Sequence, residues 1–342
     1  MTVGLRWARL VLSFCFFCIC VICAGHYPTS IYLLSQAKGQ LAILQNTCSF
    51  DEFRRLSSLS AKERENLLLV EKIKTYSVDS LSYSPTHNFT RVYDQKKLPV
   101  LWVITACDPY AFKEYTWAFP IVGKVSYKGF FKKELAQKEY NHLVSLGYDV
   151  DLRSVSAWST LGWFKDPLLS SMLNHSKAGL CNLLFHELFH ATYYVPNSVD
   201  LDENLANFIA GKATQKFLKN DPGELNRYAD NNSDEALFSQ YMLNKKNFLD
   251  DYYKRIYHKR DRLALKLRVL MEIADSVSFL PLHHKEKYVQ RANAILAFKN
   301  AYFIDFQQYD SMQDSLENVF NKIYKGDIKK LVQDLTANEI NY

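Results

Sequence analysis

Apolar residues recur along this chain at two periods, and the switches between them mark out its parts. Residues 10–25, LVLSFCFFCICVICAG, form an apolar run without charge. From 31 to 76 apolar residues return every three or four positions among Gln, Lys and Glu. KERENLLLVEKIK at 62–74 is the clearest case, and the stretch predicts two or three helices with one wet face each. Between 89 and 127 β-branched and aromatic residues dominate, interrupted by Pro and Gly, which predicts strands at about 99–106 and 117–127. Residues 128–145 revert to helical spacing, and 148–152 and 154–161 read as two further strands. Amphipathic runs at 213–275, 286–308 and 311–336 predict a helical remainder, broken at Asp221-Pro222-Gly223 and near Pro281.

This order predicts an α+β fold. It comprises an N-terminal membrane-anchoring helix, a mixed helix and strand half with a small sheet at 77–165, a central helical pair at 178–219, and a mostly helical part at 220–342. The apolar run is short of the roughly 20 residues of a bilayer span, although Leu5, Trp7 and Tyr27 extend it. Arg6 and Arg9 precede it and orient it positive end inside, with 1–9 cytoplasmic and 26–342 exported. The alternatives are a cleaved signal ending near Cys23-Ala24-Gly25, which gives a secreted protein, and a lipoprotein. Ile before both Cys20 and Cys23 speaks against lipidation.

The 342 residues are 48% hydrophobic, ample for one large core or two modest ones. Of the formal charge of +6, Arg6 and Arg9 supply two; no basic stripe with interleaved aromatics points to nucleic acid. Of seven cysteines, only Cys48, Cys107 and Cys181 lie outside the apolar run. Three make no complete disulfide framework. An exported domain could bridge Cys48 to Cys107, and Cys181 reads as a buried thiol.

The candidate chemistry sits in LLFHELFHATYYVPNSVDLDENLANFIAG, residues 183–211. His186 and His190 are four apart, so on a helix their imidazoles share one face and can meet at one metal ion. Glu187 between them is placed as a general base. Leu183, Leu184, Phe185, Leu188 and Phe189 bury the helix, Thr192 to Tyr194 continue it, and Pro196-Asn197-Ser198 breaks it. A second helix starting near Asp200 brings Glu203 back toward the histidines. Two His and one Glu form a catalytic set for one zinc ion, with the fourth position left to water. Asp200 or Asn207 would orient a ligand imidazole from behind. Asp200-x-x-Glu203 also fits a capping box, in which Glu203 would bond only backbone N–H groups. His283-His284 beside a proline reads as a solvated loop pair.

These residues resemble a bacterial family of predicted aminopeptidases, zinc metallopeptidases of the His-Glu-x-x-His plus distant Glu type (gluzincins). The family pattern is His-Glu-Leu-x-His, a Tyr-Val pair, and Asn-Glu-x-x-Ala. Here it reads His186-Glu187-Leu188-Phe189-His190, Tyr194-Val195 and Asp202-Glu203-Asn204-Leu205-Ala206. Asp202 in place of Asn is a departure that makes it a competing ligand. Further matching blocks are Gln36-Ala37-x-Gly39-Gln40-Leu41, Trp117 to Gly123, Tyr127 to Phe131, Gly147 to Val150 and Ser159 to Phe164.

The resemblance covers most of 32–320. It implies a zincin-like ligand helix and zinc-dependent hydrolysis of peptides, as an aminopeptidase, on the outer side of a bacterial cell membrane. In such enzymes a strand before the ligand helix pairs with substrate. That assigns Ser159, Thr160, Leu161, Gly162 and Trp163 to the cleft; the alternative is a plain core strand. Asp149, Asp166 and Glu114 are candidates for holding the substrate amine, and a Tyr for the oxyanion. The rival functions are a membrane-anchored metalloendopeptidase and a non-catalytic, membrane-anchored binding or scaffold protein with a structural metal site.

Overall fold

Helix α1 (Tyr27–Gln45) is the first element among the described residues of a computed structural model, namely 27–56, 58–119, 123–155, 165–195, 198–304, 306 and 312–338. The apolar run 10–25 and the strand residues Ser159 to Trp163 lie outside the described residues. Among the described residues no helix is long and apolar enough to cross a membrane.

After β1 (Thr47–Cys48) and α2 (Phe50–Leu56) comes α3 (Ala61–Leu81). Its start is set by a reciprocal cap: Ser60 Oγ accepts from Glu63 N and the Glu63 carboxylate accepts from Ser60 N. Leu67, Val70, Ile73 and Leu81, at helical spacing, are fully buried. Then follow β2 (Val92–Tyr93), β3 (Leu101–Cys107), β4 (Trp117–Phe119), β5 (Gly123–Val125), β6 (Tyr127–Phe130), α4 (Lys133–Ser145) and β7 (Asp149–Val155). The single strand expected over 117–127 is thus divided. Gly123 adopts φ +79°, which an L side chain resists, and there the chain doubles back to pair Trp117 with Val125. The next residues leave that hairpin as β6 and join the main sheet.

That sheet is antiparallel, in the order β6-β3-β7, with Ile104 opposite Lys128 on one side and Leu152 on the other. Alternation along the strands sends Ile104, Ala106 and Val150 to one face, where they pack with Leu143 and Ala136 of α4. A second small sheet runs β1-β2-β8, and its strand β8 (Leu168–Leu169) lies parallel to β2 just before the ligand helix.

The remainder is helical: α5 (Lys177–His190), α6 (Val199–Phe217), α7 (Pro222–Ile256), α8 (Arg262–Ser276), α9 (Lys285–Ala292), α10 (Ala294–Phe298), α11 (Asn300–Ile304), α12 (Gln313–Lys322) and α13 (Ile328–Asn338). The largest core gathers α3, α5 and α6 around Val70, Leu184, Phe185, Phe189 and Ile209. A second core, with Phe238, Met242, Tyr253, Leu270 and Tyr288, lies within α7 to α11.

A buried ion pair ties that second core to the sheet. Lys266 Nζ donates to the Asp149 carboxylate and to Pro109 O, Asn300 N donates to the same carboxylate at 3.0 Å, and Tyr253 OH donates to Asn300 Oδ1 at 2.6 Å. Asp149 is thereby committed to the fold, which removes it as a holder of a substrate amine. The Cys48–Cys107 bridge does not form: Cys48 Sγ faces Val92 O in the small sheet, and Cys107 is buried against Ala301 and Ile304. Cys181 is a buried free thiol, as expected.

Candidate metal centre

Helix α5 is held at several points before any functional side chain is considered. Ser176 caps it by accepting from Gly179 N, and Glu224 Oε1 accepts from Ala178 N at 3.0 Å, so two of the first N–H groups are satisfied. Buried Asn66 of α3 donates to Leu173 O and His175 O in the segment leading in. Tyr228 OH of α7 donates to Asn182 Oδ1. Leu180, Leu184, Phe185, Leu188 and Phe189 are at most 2% exposed, and each such side chain contributes about 1.5–3 kcal/mol of burial free energy. His186, Glu187 and His190 are half-buried on the remaining face.

The helix ends at His190, earlier than the expected continuation through Tyr194. Thr192 N and Tyr193 N both donate to Phe189 O, and the Thr192 hydroxyl donates to Leu188 O, which closes a tight turn. Helix α6 then returns along α5. Its cap residue is Ser198, two positions before Asp200, so the Asp200-x-x-Glu203 capping box does not form. Glu203 is released from the helix end and reaches the histidines.

Three side chains converge there. His186 Nε2 is 3.0 Å from His190 Nε2 and 3.4 Å from Glu203 Oε2, and His190 Nε2 is 3.5 Å from Glu203 Oε1. Three ligands bound about 2.0–2.2 Å from one tetrahedral centre stand roughly 3.3–3.6 Å apart, close to the separations here. The donor set therefore fits a zinc-sized cation. Among the described residues these three form the only such group of His, Cys, Asp and Glu. His283 and His284 are not in it: Asp234 accepts from both of their backbone N–H groups, and the rings stay near half-exposed.

The charges agree with the geometry. Burial opposes protonation of His186, but Glu203, the charge of Glu187 and a hydrogen bond with Asn207 outweigh it and raise its pKa. Burial and the neighbouring His186 lower that of His190. The contact with His186 lowers the pKa of Glu203.

Asp202 is not in the ligand group. It lies behind His190, with Oδ2 at 3.1 Å from Nδ1, while its Oδ1 accepts from Val195 N at 3.1 Å and pins the connecting loop. The side chain expected as a competing ligand thus stands on the far side of the His190 ring. Its neighbour Glu203 is one residue, about 100° of helix, away and so meets the other side of the ring. Asn207 hydrogen-bonds with His186, and the side chain of Asp200 lies outside the described ones. Tyr193 packs on Phe189.

A family model described as "Putative aminopeptidase" matches residues 31–338. No curated protein and no solved structure matches the chain.

Proposed function

The chain belongs to that aminopeptidase family, and from this premise we propose that it hydrolyses peptides with one zinc ion held by His186, His190 and Glu203. The convergence of two imidazoles and one carboxylate at tetrahedral ligand spacing carries the reading. Bound there, zinc supplies Lewis-acid polarisation and lowers the pKa of water from 15.7 toward roughly 7. Asp202 holds His190 in the tautomer that leaves Nε2 free to ligate, and Asn207 steadies His186. Glu187, next to His186 on α5, takes the proton of the attacking water and returns it to the leaving amine. Cleavage from a free amino end is the mode that the family's description favours. From Arg6 and Arg9 before the apolar run 10–25 we infer that the domain works outside a bacterial cell membrane on a single-pass anchor.

The test is metal analysis and peptide hydrolysis for the wild type and Glu187→Gln. Retained zinc with kcat lower by about 10²–10⁴-fold is expected. Hydrolysis by Glu187→Gln at the wild-type rate, or wild-type cleavage indifferent to zinc chelation, would sink the reading. Equal rates on free and amino-blocked peptides would replace the aminopeptidase mode by endopeptidase action.

A further inference from the structure

The outer side of α1 is unusual for a helix at a protein surface. Its inner side is anchored: Tyr32 OH and Gln36 Nε2 both donate to Gly129 O, and Ile43 is buried. The opposite stripe exposes Ile31 (48%), Leu34 (70%) and Leu41 (51%) at helical spacing, together with Lys38. No acidic residue occurs anywhere in the helix.

A second element presents the same chemistry beside it. Lys96 and Lys97 both adopt left-handed backbone, φ 50° and 64°, without being glycine. The turn they make lifts Leu98 into solvent at 68% exposure. Lys38, Leu98 and Lys132 line one cavity of about 340 Å³, so the lysine of the stripe, the leucine of the turn and the residue before α4 stand around one opening, with Leu34 one helical turn before Lys38. Asp94 and Glu134 lie near it in sequence, and Glu63 interacts with Lys97, so lysines outnumber acids there.

We propose that this patch rests on an anionic phospholipid bilayer. Ile31, Leu34 and Leu98 enter the boundary between headgroups and acyl chains, while Lys38, Lys97 and Lys132 meet lipid phosphates. Exposed leucines ringed by lysines fit that surface, because lysine stems lie along apolar material while the ammonium groups stay with the headgroups. A protein partner is the poorer fit, since lysine is depleted in protein interfaces. The position of the chain outside the structure agrees: the charge-free run 10–25 ends two residues before α1 begins. The inference does not depend on the peptidase reading.

The test uses the full-length chain with vesicles of phosphatidylglycerol and phosphatidylethanolamine. A photo-crosslinking p-benzoylphenylalanine replaces, one at a time, Leu34, Leu98 and Phe279; Phe279 is 85% exposed and lies in the short 3-10 helix Val277–Phe279 after α8, away from the patch in sequence. Lipid adducts at 34 and 98 several-fold above those at 279 are expected. They should drop about tenfold when Lys97→Glu and Lys132→Glu are combined. Equal adducts at all three positions, crosslinks at 34 and 98 to a second copy instead of lipid, or a chain that stays off the vesicles would each overturn the proposal. All three positions are exposed, so none of the replacements threatens the fold.

Discussion

His190 Nδ1 and Asp202 Oδ2 stand 3.1 Å apart, on the side of the imidazole turned away from Glu203. One helix, α6, therefore supplies a carboxylate to each side of the same ring. If Asp202 orients the ring, Asp202→Ala should weaken zinc binding by about 10–100-fold, the usual cost of losing such a partner. Asp202→Asn, which keeps an acceptor, should cost less. Competition with a chromogenic chelator measures both. Wild-type affinity in the Ala variant would refute the orienting role, and complete loss of zinc would make Asp202 a ligand after all.

Much of this site was legible in the chain because helical spacing alone places His186 and His190 on one face. The return of Glu203 was legible too, given Pro196-Asn197-Ser198 as a break. The role of Asp202 was not, because which ring nitrogen a carboxylate meets depends on the rotation of α6 against α5, set by packing of residues such as Ile209 and Phe185. The break at Asp221-Pro222-Gly223 was legible, and Asp221 caps α7 there through Glu224 N; the apolar periodicity over 213–275 did not show the turn at 257–261 that separates α7 from α8. The buried pair Lys266–Asp149 joins positions 117 residues apart, beyond what local pattern reports.

Asn66 supports the segment leading into the ligand helix. Its amide donates to two carbonyls, Leu173 O at 2.8 Å and His175 O at 3.0 Å, and the side chain is 4% exposed. Asn66→Leu keeps the bulk but strips both acceptors of their donor. Denaturant unfolding should show a loss of about 2–4 kcal/mol. A change below about 0.5 kcal/mol, the scale of an ordinary surface substitution, would mean that water replaces the amide there.

Gly39 is where α1 meets Phe131. A Cβ built at this position would fall 2.2 Å from the Phe131 ring, far inside contact distance. Gly39→Ala should therefore destabilise by about 1–3 kcal/mol, despite the roughly 1 kcal/mol that alanine gains in a helix. Combining it with Phe131→Ala should recover part of that loss, with a coupling of about 1 kcal/mol or more in a double-mutant cycle. Additive effects would show that α1 shifts freely and that the close approach is not a constraint.

Asp151 on β7 gives the fold a pH dependence separate from the metal centre. It lies opposite Thr105 across the sheet, is 2% exposed, and its Oδ1 has no hydrogen-bond partner among the described residues; Arg153, at 3.7 Å, compensates only partly. Burial pushes its pKa from 3.8 up to about 6. Because the native carboxyl is the weaker acid, the folded state binds more protons than the unfolded state between those two values. Stability from this group therefore falls as pH rises through that window, by on the order of 2–3 kcal/mol, and stays low above it. Asp151→Asn removes the ionisation while keeping the shape, and its amide can face the unpartnered Thr105 hydroxyl. The variant should be more stable than the wild type at pH 8 by about 1–2 kcal/mol, and indistinguishable from it near pH 4. Urea unfolding at both pH values reads the difference; a variant less stable at pH 8 would show that the ionised carboxylate is satisfied in the native state.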